Sequence, residues 1–363
     1  LKNLYISAGI LAALAVITSF ISSKDNTILA DERIGQAIAQ DDDLRGVAKV
    51  TLRSDGEQAV LSFDTASKQW LVSNRYEMPA DIEGLARQIQ SITGASLQRL
   101  VSEKKERFSD FGFDADEGYL FENADGKTLL ALDLGRTTEN GRHLIKFGDE
   151  EKVFLATDSF SFDANPDSWL KKDLLTFEDS AVRKIGMELQ NGDSLEVSRA
   201  DDSSNWAASG ELPEGKQLDQ SAVGRVVSRL SGISFTATAQ LDDEEVVAAK
   251  ANGHKITLTL EDETSYSYQI GRRPEVKVMK EVEKEGEDGE TTTEMEEEVE
   301  TPAGKVYYSV RSSKLVDPVN GYMDKAAFEV SSFNFTSLPE SLDGLLQDKP
   351  EPLPPLQTEE TGE

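Results

Sequence analysis

The chain contains no cysteine. That absence removes disulfides, thiolate nucleophiles, cysteine-based zinc sites and lipoprotein processing together. Histidine is nearly missing too, with His143 in Gly-Arg-His-Leu-Ile-Lys and His254 in Asn-Gly-His-Lys-Ile as the two examples. Two such residues, in strand or turn contexts and without a Gly-x-Ser-x-Gly elbow, leave little material for a histidine-based centre. Positive charge is scarce: 38 Lys and Arg stand against 68 Asp and Glu, a net charge of −30. Such a body repels phosphate backbones, so no nucleic acid is expected among its partners. No Walker-type glycine loop occurs, which excludes the ATPase subunit of a transporter. Asp110-Phe-Gly112 matches a kinase magnesium motif as text alone, since no glycine-rich or catalytic loop accompanies it. The sequence therefore offers no catalytic residue, no cofactor site and no metal site.

What it does offer first is an apolar run. Leu4 to Ile21 carries neither charge nor proline. About eighteen residues at ~1.5 Å each span roughly 27 Å, enough to cross a hydrocarbon core. Residues 1–22 are expected as a short cytoplasmic tail and a transmembrane helix. Lys2 lies on one side and Lys24, Asp25, Asp31 and Glu32 on the other, which orients the body outward, into the periplasm or extracytoplasmic space. A cleaved signal peptide is the competing reading, but cuts after Ala30 or Ser23 place Ile28 or Ile21 where a small residue is wanted. Gly9 and Ala13, four apart, form a small-xxx-small pair and are candidate residues of a transmembrane helix interface.

The remaining length suggests two domains, and the sequence reads as one unit written twice. The first copy opens at Val47-Ala-Lys-Val-Thr-Leu and reaches Trp70; a helix from Asp81 to Gly94 follows. The second opens at Val182-Arg-Lys-Ile and reaches Trp206; a helix from Asp219 to Gly232 follows. Each helix starts at an N-capping Asp and stops at a Gly suited to the left-handed position. Ile82, Leu85, Ile89 and Ile92 share one helical face, as do Val223, Val226, Val227 and Leu230. Downstream, Thr128–Gly135 aligns with Thr264–Gly271, and Val153-Phe-Leu-Ala-Thr with Val306-Tyr-Tyr-Ser-Val. Asp55-Gly56, Asp125-Gly126, Asn191-Gly192 and Asn252-Gly253 read as turns between strands. The order of elements predicts an α+β fold of mostly antiparallel sheet with packed helices. The expected layout is a stalk at 23–45, a first unit at 46–180, a second at 181–345 and a disordered tail at 346–363. A glutamate-dense insertion at 279–301 belongs to the second unit alone. It reads as a solvated loop or a projecting hairpin that could attract a basic partner.

Other candidates are weaker. Asp114-Ala-Asp116-Glu-Gly118 faintly resembles a calcium loop but lacks its full spacing and distal Glu. Trp70 and Trp206 could stack a ligand, although repeated aromatics more often anchor equivalent cores. Asp110 and Asp114 are the carboxylates on which a hydrolase would have to rest.

Trp70, Met78-Pro-Ala-Asp81, Phe108-Ser-Asp-Phe-Gly-Phe-Asp114, Leu134-Gly135, Val153-Phe-Leu and Trp169-Leu-Lys-Lys-Asp-Leu-Leu follow in order. In this the chain resembles a bacterial family of unknown function. Its members commonly carry one N-terminal membrane helix and are often encoded beside gliding-motility-type ABC transporter components. Here Ala115 stands where the family has a proline. The resemblance implies a single-pass accessory or scaffold protein of the cytoplasmic membrane, held in lipid by its helix. Its partners would be membrane-complex subunits, including ABC transporter components, and it would not be an enzyme. The alternative is an envelope protein that captures a small molecule or polymer between the two repeats.

Overall fold

The structure is a computed structural model and describes residues 30–285 and 291–350. Among the described residues no helix is long and apolar enough to cross a membrane. The apolar run with Gly9 and Ala13, and the tail beyond residue 350, lie outside the described residues. The chain divides into two compact units between Lys171 and Lys172. Both are α+β, built on antiparallel sheet with a few helices.

The first unit runs β1 (Val47–Ser54), β2 (Glu57–Asp64), β3 (Gln69–Val72), β4 (Met78–Pro79) and α1 (Ile82–Gly94). After β5 (Leu97–Ser102) come two 3₁₀ turns, Lys105–Arg107 and Ser109–Phe111. Strands β6 (Gly118–Asn123), β7 (Thr128–Thr137), β8 (His143–Phe147) and β9 (Val153–Ala156) complete it. The nine strands lie in the order β4-β3-β2-β1-β6-β7-β8-β9-β5. Asp55 and Gly56 both take positive φ, the geometry of a two-residue hairpin turn between β1 and β2. Asp81 caps α1 by accepting from Gly84 N at 3.0 Å. Leu85 and Ile92 are buried, while Ile82, expected on the same face, is exposed at the first turn.

The second unit runs β10 (Val182–Glu188), β11 (Ser194–Ser198), β12 (Ala207–Ala208), β13 (Lys216–Leu218), α2 (Gln220–Ser231), β14 (Phe235–Ala239) and α3 (Glu244–Ala251). It continues with β15 (Gly253–Leu260), β16 (Ser265–Arg272), the ribbon β17 (Val276–Glu285) and β18 (Thr291–Thr301), and β19 (Val306–Ser312). Helix α4 (Pro318–Met323), β20 (Ala327–Val330), α5 (Ser332–Thr336) and β21 (Leu346–Asp348) end it. Its main sheet is ordered β12-β11-β10-β15-β16-β19-β20-β14.

This order repeats that of the first unit from β3 to β5, and irregularities recur at matched positions. Pairing slips between Val47 and Lys49 in β1, and between Val182 and Lys184 in β10. It slips again between Leu97 and Arg99 in β5, and between Phe235 and Ala237 in β14. Phe154 then faces Leu100 as Phe328 faces Thr238. The partner of β9 is therefore β20, and β8 is the counterpart of β19. The alignment of Val153–Thr157 with Val306–Val310 is one strand out of register with the topology.

A glycine carries one of the shared close approaches. The segment crossing from β5 to β6 lays the Phe111 carbonyl over Gly135, where a Cβ would come within 2.5 Å. In the second unit the Ala249 carbonyl, at the end of α3, crowds Gly271 in the same way. Both strands carry a glycine near their ends because a main chain crosses over them there.

Several expectations are corrected. Residues 30–45 are not an open stalk: Ile38, Ala39 and Leu44 are buried. Gly35 N donates to Leu97 O, and Leu97 N to Gln36 O, so this segment covers the β5 edge. Phe235 N donates to Lys172 O correspondingly, which draws 172–181 into the second unit. The tail expected from 346 begins with a strand, because Leu346–Asp348 pairs with β13. Asn252-Gly253 ends α3 instead of turning a hairpin. Gly94 and Gly232 do not enter the left-handed region. Ala95, after α1, is already extended, and its carbonyl accepts from Ile38 N.

Candidate functional site

The second unit carries a trough of about 970 Å³ over the face of its sheet opposite α2. Strand alternation aims every second side chain of β10, β11, β15, β16 and β19 into it. Gly186 is part of the lining, and apart from its chain neighbours no atom lies within 4 Å of where its Cβ would stand. Thr257 and Ser267 face each other across β15 and β16, with hydroxyls 3.0 Å apart. Gln269 and Ser309 continue the row. Gln269 Nε2 donates to Lys250 O at 2.6 Å. The rim charges are matched. Lys184 pairs with Glu196 at 2.8 Å, Lys255 with Glu188 at 3.0 Å and Arg311 with Asp324 at 2.5 Å. Past Arg311 a smaller cleft of about 280 Å³ opens between α3, β19 and α4.

The second feature is the ribbon. β17 and β18 pair only with each other and join neither main sheet. Val276, Met279, Met295 and Val299 are each about half exposed on it. Opposed pairs alternate in face, so Val299 opposite Lys277, Met279 opposite Glu297, and Met295 opposite Glu281 share one side. That side is a diagonal of apolar groups in a field of glutamate. Lys280 meets Glu298 at 2.7 Å on the other side. The insertion is thus a projecting hairpin, the second of the two forms expected for it.

The residues weighed in the sequence fall mostly into structural roles. His143 Nδ1 accepts from Phe160 N at 2.8 Å, and His254 Nδ1 accepts from Gln190 N at 3.2 Å. Both rings are buried, and burial lowers both pKa values below the usual 6.5. Asp110 pairs with Arg107 at 3.2 Å and Asp116 with Arg53 at 2.9 Å, whereas Asp114 is exposed and joins no carboxylate pair among the described residues. Among the described residues no three His, Asp or Glu side chains converge on a point suited to a metal ion. Trp70 and Trp206 occupy matched positions: Trp70 is opposite Phe63, and Trp206 precedes the Ala207–Ser198 pair. Trp70 tilts against Phe63 with ring centres 6.0 Å apart, while the Arg199 guanidinium lies 4.6 Å above Trp206.

Residues 70–252 match a protein family described as a domain of unknown function, DUF4340. The chain belongs to the DUF4340 family. No curated protein matches it, and no solved structure does. The matched span takes in all three tryptophans and helices α1, α2 and α3.

The floor of the trough in this DUF4340 protein is what the sequence reading passed over. Its signal was present in the alternation Lys255-x-Thr257-x-Thr259 and Ser265-x-Ser267-x-Gln269. Hydroxyl and amide side chains at period two mark a strand whose second face is polar.

Proposed function

We propose that this DUF4340 protein is a membrane-anchored, extracytoplasmic, non-enzymatic accessory subunit that docks protein partners in an ABC-transporter-linked complex. The observation that carries the docking reading is the β17–β18 ribbon. An isolated two-stranded ribbon is marginal in water, and this one also exposes Met279, Met295 and Val299. Its glutamates repel a second copy of the same chain and favour a partner segment that is basic and partly apolar. The apolar run at 4–21 supports the anchor, and the resemblance described above supports the company it keeps.

The test is co-purification from its native membrane, with the bound subunits identified by mass spectrometry. Replacing 276–301 by a short Gly-Ser turn should leave both main sheets folded and strip the transporter subunits. Met279→Ser with Met295→Ser should weaken recovery in the same direction. Equal recovery with and without the ribbon would sink the docking reading. Protection of the body from protease added to spheroplasts would overturn the outward orientation.

A further inference from the structure

Because the main sheets match strand for strand from β3 to β5, the first unit serves as a control for the second. At the positions of Gly186, Thr257, Ser267, Gln269 and Ser309 the first unit places Thr51, Leu120, Ala131, Asp133 and Lys146. That face is closed by ion pairs and apolar groups. Arg53 reaches Asp133 at 3.0 Å and Asp116 at 2.9 Å, Lys146 also pairs with Asp133, and Thr51 is buried. In the second unit the same backbone carries a glycine, three hydroxyls and an amide, and the network is gone. The shared sheet does not require this change, since the first unit builds the same ladder with other side chains.

We propose that the trough over β10, β15, β16 and β19 binds an uncharged polysaccharide chain. Three observations select that ligand. First, the charged residues of its lining are each paired with a neighbour of opposite sign. It is therefore a locally neutral surface on a chain of net charge −30, which repels anionic polymers. Second, β10, β15 and β16 are interior strands paired on both sides, and β19 is paired with β16 along its length and with β20 over Val306–Tyr308. A peptide could not add as a strand there, and only side chains are left to bind. Third, Ser and Thr hydroxyls each donate and accept, as sugar hydroxyls do, so a polyol can satisfy the row without a buried charge. Gly186 supplies depth where a chain would cross β10. The proposal is independent of the docking ribbon, which lies outside the trough lining.

The experiment is affinity electrophoresis of the full chain, kept in solution with a detergent that has no sugar headgroup. Gels carry hydroxyethyl cellulose, dextran or mannan as neutral probes, and alginate as the anionic one. At least one neutral polymer should retard the protein, and alginate should not. Gly186→Leu fills open space on an unstrained backbone and should weaken retardation about tenfold, the effect of losing one or two polar contacts. Thr257→Val with Ser267→Ala, which keeps the strands, should act in the same direction. A ribbon-replaced protein should bind as wild type does, so failure of the docking proposal would be read separately. Free migration in all three neutral gels would overturn the proposal. So would retardation by alginate, or retardation that survives both sets of trough substitutions with an unchanged melting curve.

Discussion

Asp31 is the residue whose loss should reveal how firmly the start of the body is held. Its carboxylate is almost fully buried and accepts from Arg33 N at 2.9 Å, Arg33 Nε at 3.2 Å and Lys152 Nζ at 2.8 Å. Arg33 reaches onward to Glu150 at 2.8 Å and lies 4.7 Å above the Phe154 ring. The knot ties residues 31–33 to β9 and the loop before it. Hydrogen bonds to charged groups contribute about 1.5–3 kcal/mol each, but Arg33 keeps Glu150 and is partly exposed. Asp31→Asn should therefore cost the first unit about 2 kcal/mol. Tryptophan fluorescence in urea reads this cleanly in a Trp206→Phe background, where Trp70 and Trp169 both report on the first unit. Combining Asp31→Asn with Lys152→Met should cost less than the two losses added, because they break one shared contact. The pH dependence carries a sign. The Arg33 hydrogen bond, then that of Lys152, holds the Asp31 carboxyl well below its ordinary 3.8. Its stabilisation is complete above that value and is lost as pH falls through the lower folded one. The gap between wild type and Asp31→Asn should narrow below pH 3.8. Equal stability of the two proteins at neutral pH, or a gap that widens in acid, would refute the reasoning.

Gly271→Ala places a methyl against the Ala249 carbonyl and should cost the second unit about 3 kcal/mol in urea denaturation, where Gly186→Ala should be nearly neutral. His254 is buried neutral with its pKa lowered from 6.5 by desolvation, so its contribution is intact above 6.5 and declines as pH falls below it. The second unit should lose at most about 1.4 kcal/mol per pH unit from this group, a slope absent in His254→Gln. Proton NMR should find the His254 ring titrating below 6.5, and a midpoint at or above that value would contradict the burial argument. Arg199→Met removes donors from the carbonyls of Val182 and Asp179, and the cation above Trp206. It should destabilise the second unit by about 2 kcal/mol, with a matching shift in Trp206 fluorescence.

How far each feature could be read from sequence follows from what holds it. The helices were legible because Asp81 and Asp219 cap them, and because Leu85, Ile92, Val223 and Leu230 recur at helical spacing. The outer strand pairs were not. Val153-Phe-Leu and Val306-Tyr-Tyr are equally apolar, and it takes the strand order and the bulges against β5 and β14 to show that β20 is the true counterpart of β9. The lead-in segments were missed because Ile38, Ala39 and Leu44 follow no single period. They are held instead by an irregular segment along a sheet edge. The trough was missed for a different reason. Sequence patterning follows burial, and a face of Thr257, Ser267 and Ser309 carries no hydrophobic signal of its own.

The comparison of copies also decides where function should be sought in each unit. Every feature common to both is explained by folding: the capping aspartates, the crossed glycines, the matched bulges and the edge-covering lead-ins. What one copy has and the other lacks cannot be explained that way, because the fold is complete without it. Among the differences are the ribbon inserted between β16 and β19 and the hydroxyl face beside it in sequence. Both fall in the second unit. They differ in chemistry, since one presents methionine and valine among glutamates and the other presents hydroxyls with balanced charge. A single ligand would not satisfy both surfaces. The acidic ribbon suits a basic protein segment held by desolvation and charge, and the trough suits a neutral polyol held by hydrogen bonds. Joined in one unit, they would let the protein hold a polymer and a protein partner at once.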